Sequence, residues 1–508
     1  MKHLLSCQGW SRRIWNRRGV LVFLSSICAS AMAMSVVIIP SLEPFPDPTG
    51  AVSTFNAAGA IHENTAFFQP LGTNGRTCAT CHQADEAFSI TPGKIQQLYE
   101  RSHGQDPLFA VVDGANCPTD NPKDRAAHSL LLERGLIRIG IVLPASPQFQ
   151  ISVVHDPYGC AITTDPVTGR PLVSVYRRPL PTTNLRYLST IMFDGRETLS
   201  PLNNELTFPT NLNTDLTAQA VNAVETHAQG QSPSPEQLAE IVQFEMGLST
   251  AQVRDDLAGR LDAHGAGGGA LALSSQAYYP GTNDALGGDP TGAKFNSSAF
   301  SLYTPWEQPS ANGHRYDGRD DWNDKEKNYT REQIAAGEVL FNTRALTITG
   351  VRGLNDNAAL GSPASIAGNC TTCHDTPNVG NHSVALPLDI ATSRQAGYET
   401  NSAIVSALRE LSAPDLPIFE IRCPDPANPG ATINYYTSDP GKGLVTGLCS
   451  DVNRGKGPVL RGLAGRAPYF HNGAAANLTE LVNFYNQRFQ MNLTSEEKAQ
   501  LIAFLNSL

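Results

Sequence analysis

Two five-residue units constrain this chain of 508 residues more than any other feature. They are Cys78-Ala79-Thr80-Cys81-His82 and Cys370-Thr371-Thr372-Cys373-His374. Two cysteines at this spacing reach both vinyl groups of one porphyrin as thioethers, and the adjacent histidine then lies beneath the iron as its axial ligand. The units predict two covalently bound haem c groups, with the four cysteines attaching the rings and His82 and His374 binding iron. The alternative is a zinc ribbon or a thiol redox pair made from the same cysteines.

The N-terminal segment has the order of an export signal. Five basic residues and no acidic one precede an apolar run that begins at Val20, and Ala31-Met32-Ala33 follows it. Because apolar residues continue to Ile39, residues 1–33 are a cleaved signal peptide or the segment remains as an anchor to residue 39. We expect a periplasmic protein that touches a membrane only through this segment, if it is uncleaved.

The net charge of the chain indicates which classes of partner it can bind. The net charge is −10, and removal of the basic signal makes the mature chain more acidic. An acidic surface argues against nucleic acid and favours a small basic or neutral redox protein as the electron partner.

Four cysteines remain after the two haem units and the signal, which holds Cys7 and Cys28. In an oxidising compartment we expect Cys117 to pair with Cys160 and Cys423 with Cys449, because each pair is close in the chain. The alternative for each is a buried free thiol.

Capping patterns mark the helices that flank the second unit. Thr330 with Gln333 and Thr494 with Glu497 predict helices that bracket residues 370–374, and a glycine lets such terminal helices cross closely. Earlier, Ser234, Pro235 and Gln237 predict a helix with an apolar face. These features predict a mainly α fold of two cytochrome c-type domains, each around one covalently bound haem. The first domain, residues 50–263, is enlarged by loop-rich insertions, a Gly-rich linker covers residues 264–319, and the second domain covers residues 320–508.

The C-terminal part carries a family resemblance. Arg461-Gly462-Leu463, the turn from Ala467 through His471 to Gly473, and a helix capped by Asn477 resemble the bacterial di-haem cytochrome c peroxidase and MauG family. Further matches extend the resemblance to about residues 55–82, 170–250 and 325–508.

The resemblance assigns roles near the second haem. It implies that Tyr485 is the distal iron ligand, as in the MauG branch; the alternatives are a core tyrosine and ligation by Met491. It implies that His471 lies near the haem, where the alternative is a solvent-facing turn histidine. Arg461 is expected to neutralise a propionate or to line the electron path.

The first haem departs from the family pattern. Phe193-Asp194-Gly195-Arg196 resembles the family's Trp-Asp-Gly-Arg turn, but Ala218 stands where the peroxide-cleaving glutamate should be. A general acid–base group is needed to move a proton between the peroxide oxygens. Glu225 and His227 are the candidate replacements, and His227 is alternatively a distal ligand or a core histidine. No tryptophan lies between Cys78 and Trp306, although the family usually places one between the haems.

The leading interpretation is a MauG-like or peroxidase-like oxidoreductase. In it, the first haem meets peroxide or oxygen, and the second transfers electrons. The alternatives are a di-haem electron carrier without catalysis and a di-haem oxygenase acting on an organic substrate. The family also implies a calcium ion, for which Asp317, Asp320 and Asp321 are candidates beside the alternative of a solvated acidic loop.

Overall fold

The fold is mixed rather than mainly α. The computed structural model describes residues 37–307 and 325–508, and within them ten helices alternate with fourteen short strands in five antiparallel sheets. The mainly α prediction is therefore wrong. The physical reason is that the strands are only two to eight residues long and that two of their pairings join distant segments, neither of which helical patterns reveal.

The helices are named in chain order. They are α1 Pro92–Ser102, α2 Ser129–Arg134, α3 Phe208–Thr226, α4 Pro235–Met246, α5 Ala270–Ser274, α6 Lys325–Thr343, α7 Ser402–Leu408, α8 Gly443–Thr446, α9 Leu478–Arg488 and α10 Ser495–Asn506.

The strands follow the same convention. They are β1 Ile38–Ile39, β2 Pro44–Asp47, β3 Gly50–Asn56, β4 Ile61–His62, β5 Ile137–Val142, β6 Gln150–His155, β7 Ile162–Thr164, β8 Pro171–Arg177, β9 Leu248–Asp255, β10 Gly259–Arg260, β11 Leu346–Ile348, β12 Ile366–Gly368, β13 Ile418–Pro424 and β14 Thr432–Thr437.

The sheets join distant parts of the chain. The largest has the order β10-β9-β3-β2, two others are β5-β8-β7 and β14-β13-β6, and the pairs β1-β4 and β11-β12 complete the set. In the β14-β13-β6 sheet, Phe419 pairs with Val153 and Ile421 with Ile151. Residues from the first and last thirds of the chain therefore share one sheet.

Three of the four predicted caps are found. The side chains of Ser234 and Thr494 form capping boxes at α4 and α10, and Asn477 accepts the backbone N–H of Glu480 at α9. The fourth prediction is wrong, because Thr330 lies inside α6 and its hydroxyl donates to the carbonyl of Glu326.

Helices α6 and α10 cross closely at a glycine, as predicted. A Cβ added to Gly337 would lie 2.1 Å from the carbonyl oxygen of Gln500 and 2.7 Å from Cβ of Phe504. The contact belongs to the largest apolar core, which α6, α9 and α10 build around Cys370 and Cys373.

Both predicted disulfides are confirmed. Cys117 is bonded to Cys160 and Cys423 to Cys449, while the four cysteines of the haem units are free. Cys7, Cys28 and residues 1–36 of the predicted export segment lie outside the described residues, as do Asp317, Asp320 and Asp321. The last residues of the alternative anchor, Ile38 and Ile39, form β1 and pair with β4. Among the described residues, no helix is both long and apolar enough to cross a membrane.

Candidate functional site: two cavities at the Cys-x-x-Cys-His units

Each five-residue unit forms one wall of its own cavity. Cys78, Cys81 and His82 line a cavity of about 170 Å³, called here the first cavity. Cys370, Cys373 and His374 line one of about 290 Å³, the second cavity. Since the two cysteine pairs line different cavities, a single zinc ribbon made from all four is not formed.

The local fold orients both histidines in the same way. Each unit begins as a short 3-10 turn, capped reciprocally by Thr77 with Thr80 in the first and by Asn369 with Thr372 in the second. His82 Nδ1 lies 3.2 Å from the carbonyl oxygen of Phe88, and His374 Nδ1 lies 2.6 Å from that of Gly380. A histidine that donates Nδ1–H to a carbonyl offers Nε2 as the ligating atom.

Burial keeps these imidazoles neutral, which is the form that binds iron. It lowers the pKa of His82 to about 4 and lowers that of His374 below its usual range. Burial also raises the pKa of all four cysteine thiols to about 12. Reactive redox cysteines have depressed thiol pKa values, so this pattern does not fit a thiol redox pair.

The cavities share one wall. Seven residues line both of them: Arg178, Pro179, Leu180, Pro181, Phe193, Lys456 and His471. Within this shared wall the rings of Phe193 and His471 stack with centroids 4.1 Å apart at 10°. His471 is buried, which lowers its pKa to about 4. The structure therefore places His471 at the wall between the cavities rather than facing solvent.

Beneath the stack lies a buried ionic network. Arg177, whose guanidinium carbon is 5.0 Å from the Phe193 ring centroid, donates to the carboxylates of both Asp439 and Asp194. Asp194 belongs to the turn that the sequence aligned with the family. Burial alone would raise its pKa, but the charges of Arg177 and Arg196 and their hydrogen bonds together lower it to about 2. Arg177 thus fixes the turn that presents Phe193 to His471.

Three cations line the cavities and, among the described residues, form no ion pair with a carboxylate; Arg178 is buried, and Lys456 and Arg466 are partly buried. Arg178 donates to the carbonyls of Arg134 and Arg466, and Arg466 donates to those of Gly462, Val459 and Arg461. Lys456 donates to the carbonyl of Thr190, and burial lowers its pKa to about 8. Buried charge is costly unless an opposite charge neutralises it. The propionates of bound haem are anions of the required kind, so the donor set, the thiols and the cations together fit haem c.

Arg461 does not line either cavity. Its guanidinium donates to the carbonyls of Leu508 and Asn378. Asn378 lies two residues before Gly380, whose carbonyl oxygen accepts the Nδ1–H of His374. In this position Arg461 braces the loop behind His374.

Two candidate distal ligands line the second cavity. Tyr485 extends from α9 with its ring near Phe470 and Phe489, and Met491 follows the helix and is buried. Among the described residues no hydrogen-bond partner of the Tyr485 hydroxyl is found. The phenol pKa of Tyr485 is raised, mainly by burial and to a smaller extent by the neighbouring Cys373 and Cys370. A phenolate at this position therefore requires a positive charge close by. The geometry is compatible with either Tyr485 or Met491 as the distal ligand.

Glu225 and His227, the two catalytic candidates, lie in different surroundings. Glu225 is exposed on α3 and is not part of the cavity wall. His227 lines the first cavity, and its Nδ1–H donates to the carboxylate of Asp113, which also pairs with Arg76. Burial alone would raise the pKa of Asp113, but the hydrogen bond from His227 and the charge of Arg76 hold it lower.

A glutamate missed by the sequence reasoning lies in the first cavity. Glu245, on α4, is 3% exposed, and its Oε2 has no hydrogen-bond partner among the described residues. Burial raises its pKa to about 8, so it is protonated at neutral pH. The signal was present, because Glu245 follows Leu238, Ile241 and Val242 at intervals of seven, four and three residues on the predicted apolar face of this helix.

These features define a protein with two cavities, each lined by a Cys-x-x-Cys-His unit, and a buried acid in one of them. No model of a known protein family matches the chain. The cytochrome-c peroxidase IdrP2 of Denitromonas iodatirespirans is 27% identical to it over 150 residues, a match that covers 28% of this chain and 36% of that protein. This distant similarity links about a quarter of the chain to a cytochrome-c peroxidase. It does not extend to the MauG branch.

Proposed function

We propose that this chain is a periplasmic di-haem oxidoreductase of the cytochrome c peroxidase/MauG type. In this proposal the first cavity meets peroxide or oxygen, and the second exchanges electrons with a small redox protein. The observation that carries it is Glu245, a buried carboxylic acid in the wall of the first cavity. A pure electron carrier has no use for a protonated acid at its haem, whereas peroxide cleavage requires one.

The residues of the chain have different roles in this proposal. Cys78, Cys81 and His82 would hold one haem and Cys370, Cys373 and His374 the other, while Arg178, Lys456 and Arg466 neutralise propionates. When bound, haem iron supplies the binding of peroxide or oxygen and the one-electron chemistry.

Protons are handled by two groups in the first cavity. Glu245 carries a proton on a carboxyl oxygen at neutral pH and can donate it inside the cavity. His227 is oriented by Asp113 through Nδ1, which leaves Nε2 as the proton acceptor or as a ligand. These two groups stand in for the acid that is absent at Ala218.

Assignment to the MauG branch rests on Tyr485. It lines the second cavity beside Cys370 and Cys373, and its hydroxyl is free of protein partners among the described residues. Met491, in the same wall, is the ligand expected if the chain belongs with the peroxidases instead.

The decisive experiment compares Glu245→Gln with Glu225→Gln. Peroxide turnover with a reduced small electron donor is measured for both variants and for the parent protein. We expect Glu245→Gln to lower kcat roughly 100- to 10,000-fold, the usual contribution of general acid–base catalysis, and Glu225→Gln to leave it unchanged. The opposite ranking would return the role to Glu225.

Electron paramagnetic resonance of the oxidised protein separates the competing classes. A high-spin ferric signal from the first haem is expected for an enzyme with an open iron position. Two low-spin signals together with no peroxide turnover would identify a carrier. Oxygen consumption that depends on an added organic substrate, without peroxide turnover, would identify an oxygenase.

A further inference from the structure

A buried cluster of metal-ligating side chains lies beside the second cavity, and one of its members, His382, forms part of the cavity wall. Asp284, Asp375 and His382 are 3%, 0% and 4% exposed, and one ligand atom from each lies within 4.8 Å of the others. Asp375 follows His374 directly in the chain. Asp284 comes from the loop after α5, so the cluster joins two distant segments.

The two carboxylates of the cluster have no cationic partner other than the imidazole. Among the described residues, no lysine or arginine forms an ion pair with Asp284 or Asp375. The Asp284 carboxylate accepts backbone N–H groups of Leu286 and Gly288, at 3.2 and 2.6 Å. Asp375 pairs with His382 Nδ1 at 2.9 Å. Two ionised carboxylates would carry more charge than one imidazole can neutralise, and buried charge is costly without a counter-ion.

Buried polar atoms around the cluster have no partner. His382 Nε2, Ser383 Oγ and Thr376 Oγ1 are inaccessible to solvent and make no hydrogen bond among the described residues. The backbone N–H of Ser383 donates to Asp375 at 2.7 Å, so this residue is held against the cluster. Native interiors seldom leave three such atoms together unless a water or an ion completes them.

We infer that Asp284, Asp375 and His382 form a binding site for one divalent transition-metal cation, and specifically for Zn²⁺. Two carboxylate oxygens and one imidazole nitrogen are a usual ligand set for zinc, whereas calcium and magnesium prefer oxygen ligands throughout. A +2 ion would neutralise both carboxylates. Hydroxyls such as those of Ser383 and Thr376 are available to complete the coordination or to hydrogen-bond to ligands.

The site has a positioning consequence for the second haem. The loop between Asp375 and His382 contains Gly380, whose carbonyl accepts the Nδ1–H of His374. A cation that fixes both ends of this loop, and ties it to Asp284, fixes the orientation of the axial imidazole. This inference does not depend on the reaction catalysed at the first cavity.

The test uses the full-length haem-loaded protein. After treatment with a chelator, zinc is titrated by calorimetry with calcium as the comparison, and bound metal is counted by mass spectrometry. We expect one zinc ion per chain and much weaker binding of calcium. Absence of zinc binding by the parent protein, or tighter binding of calcium, would overturn the inference without any variant.

Matched variants locate the ion. Asp284→Asn should weaken zinc binding at least about 100-fold, since even outer partners of metal ligands are worth 10- to 100-fold. Asp289→Asn is the control, because Asp289 is buried on the same loop but accepts from Thr291 and Asn283 outside the cluster. Equal affinity in all three proteins would show binding elsewhere and reject the site. If Asp284→Asn does not fold, His382→Gln replaces it with the same expected loss.

Discussion

The buried acid of the first cavity gives a prediction that stability measurements can check. The ordinary glutamate pKa of 4.5 is raised by burial of Glu245 to about 8. Below pH 4.5 the carboxyl is protonated in both the folded and the unfolded chain, so burial has no pH-dependent cost. As the pH rises from 4.5 to 8, the unfolded chain loses this proton while the folded chain retains it, so the free energy of unfolding falls.

The size of the effect follows from the shift. One pKa unit corresponds to about 1.4 kcal/mol, so Glu245 costs on the order of 5 kcal/mol of stability at pH 8 relative to pH 4.5. Glu245→Gln removes the titration, while its amide remains poorly satisfied at every pH. We therefore expect the stability of this variant, minus that of the parent protein, to rise steadily between pH 5 and 8.

The assay is denaturant unfolding of both haem-loaded proteins at several pH values, followed by circular dichroism. Glu225→Gln is the matched control, since Glu225 is exposed, and its curve should run parallel to that of the parent protein. Parallel curves for Glu245→Gln as well would mean that Glu245 ionises normally, and the assignment of a protonated acid to the first cavity would then be wrong.

Three further outcomes are expected. His374→Ala should abolish the low-spin spectrum of one haem while both thioether links remain, because the cysteines attach the ring and the histidine binds iron; unchanged spectra would contradict this. Tyr485→Phe should alter the spectrum of the second haem and raise its potential if the phenolate is a ligand, and an intact spectrum would favour Met491. Gly337→Ala should lower the free energy of unfolding by about 1–3 kcal/mol, because the added Cβ would clash with the backbone of Gln500. Gly397→Ala is the control, because a Cβ at that position has no neighbour within 4 Å, and it should leave the urea midpoint nearly unchanged.

Features governed by neighbours in the chain were predictable from the sequence. The caps at Ser234, Asn477 and Thr494 were found because a capping box depends on residues three positions apart. Thr330 satisfied the same local pattern inside a longer helix, which shows that a cap motif alone does not fix where a helix begins. The disulfides were found because the two cysteines of each pair are close in sequence.

Features governed by long-range contacts were missed. The pairing of β6 with β13 and of β3 with β9 depends on residues far apart, so the fold was expected to be mainly α. Glu225 was chosen because it lies on the same helical face as Ala218, and the structure shows it exposed, whereas Glu245 is a buried carboxyl in the wall of the first cavity. A glutamate on the apolar face of a helix is unusual. Examining each polar residue on such a face would have identified Glu245 from the sequence.

The sheet that joins β6 to β13 has a consequence for the order in which this chain can fold. Ser152 and Glu420, hydrogen-bonded across that sheet, are 268 residues apart, so the pairing closes a very long loop and must wait for synthesis of the C-terminal part. Until then β6 has no partner strand and its backbone groups are unpaired, and unpaired strands are a recognised route to aggregation. Fragments that end before residue 418 should therefore be aggregation-prone. Expression of the C-terminal part alone would leave β13 as an open edge beside β14.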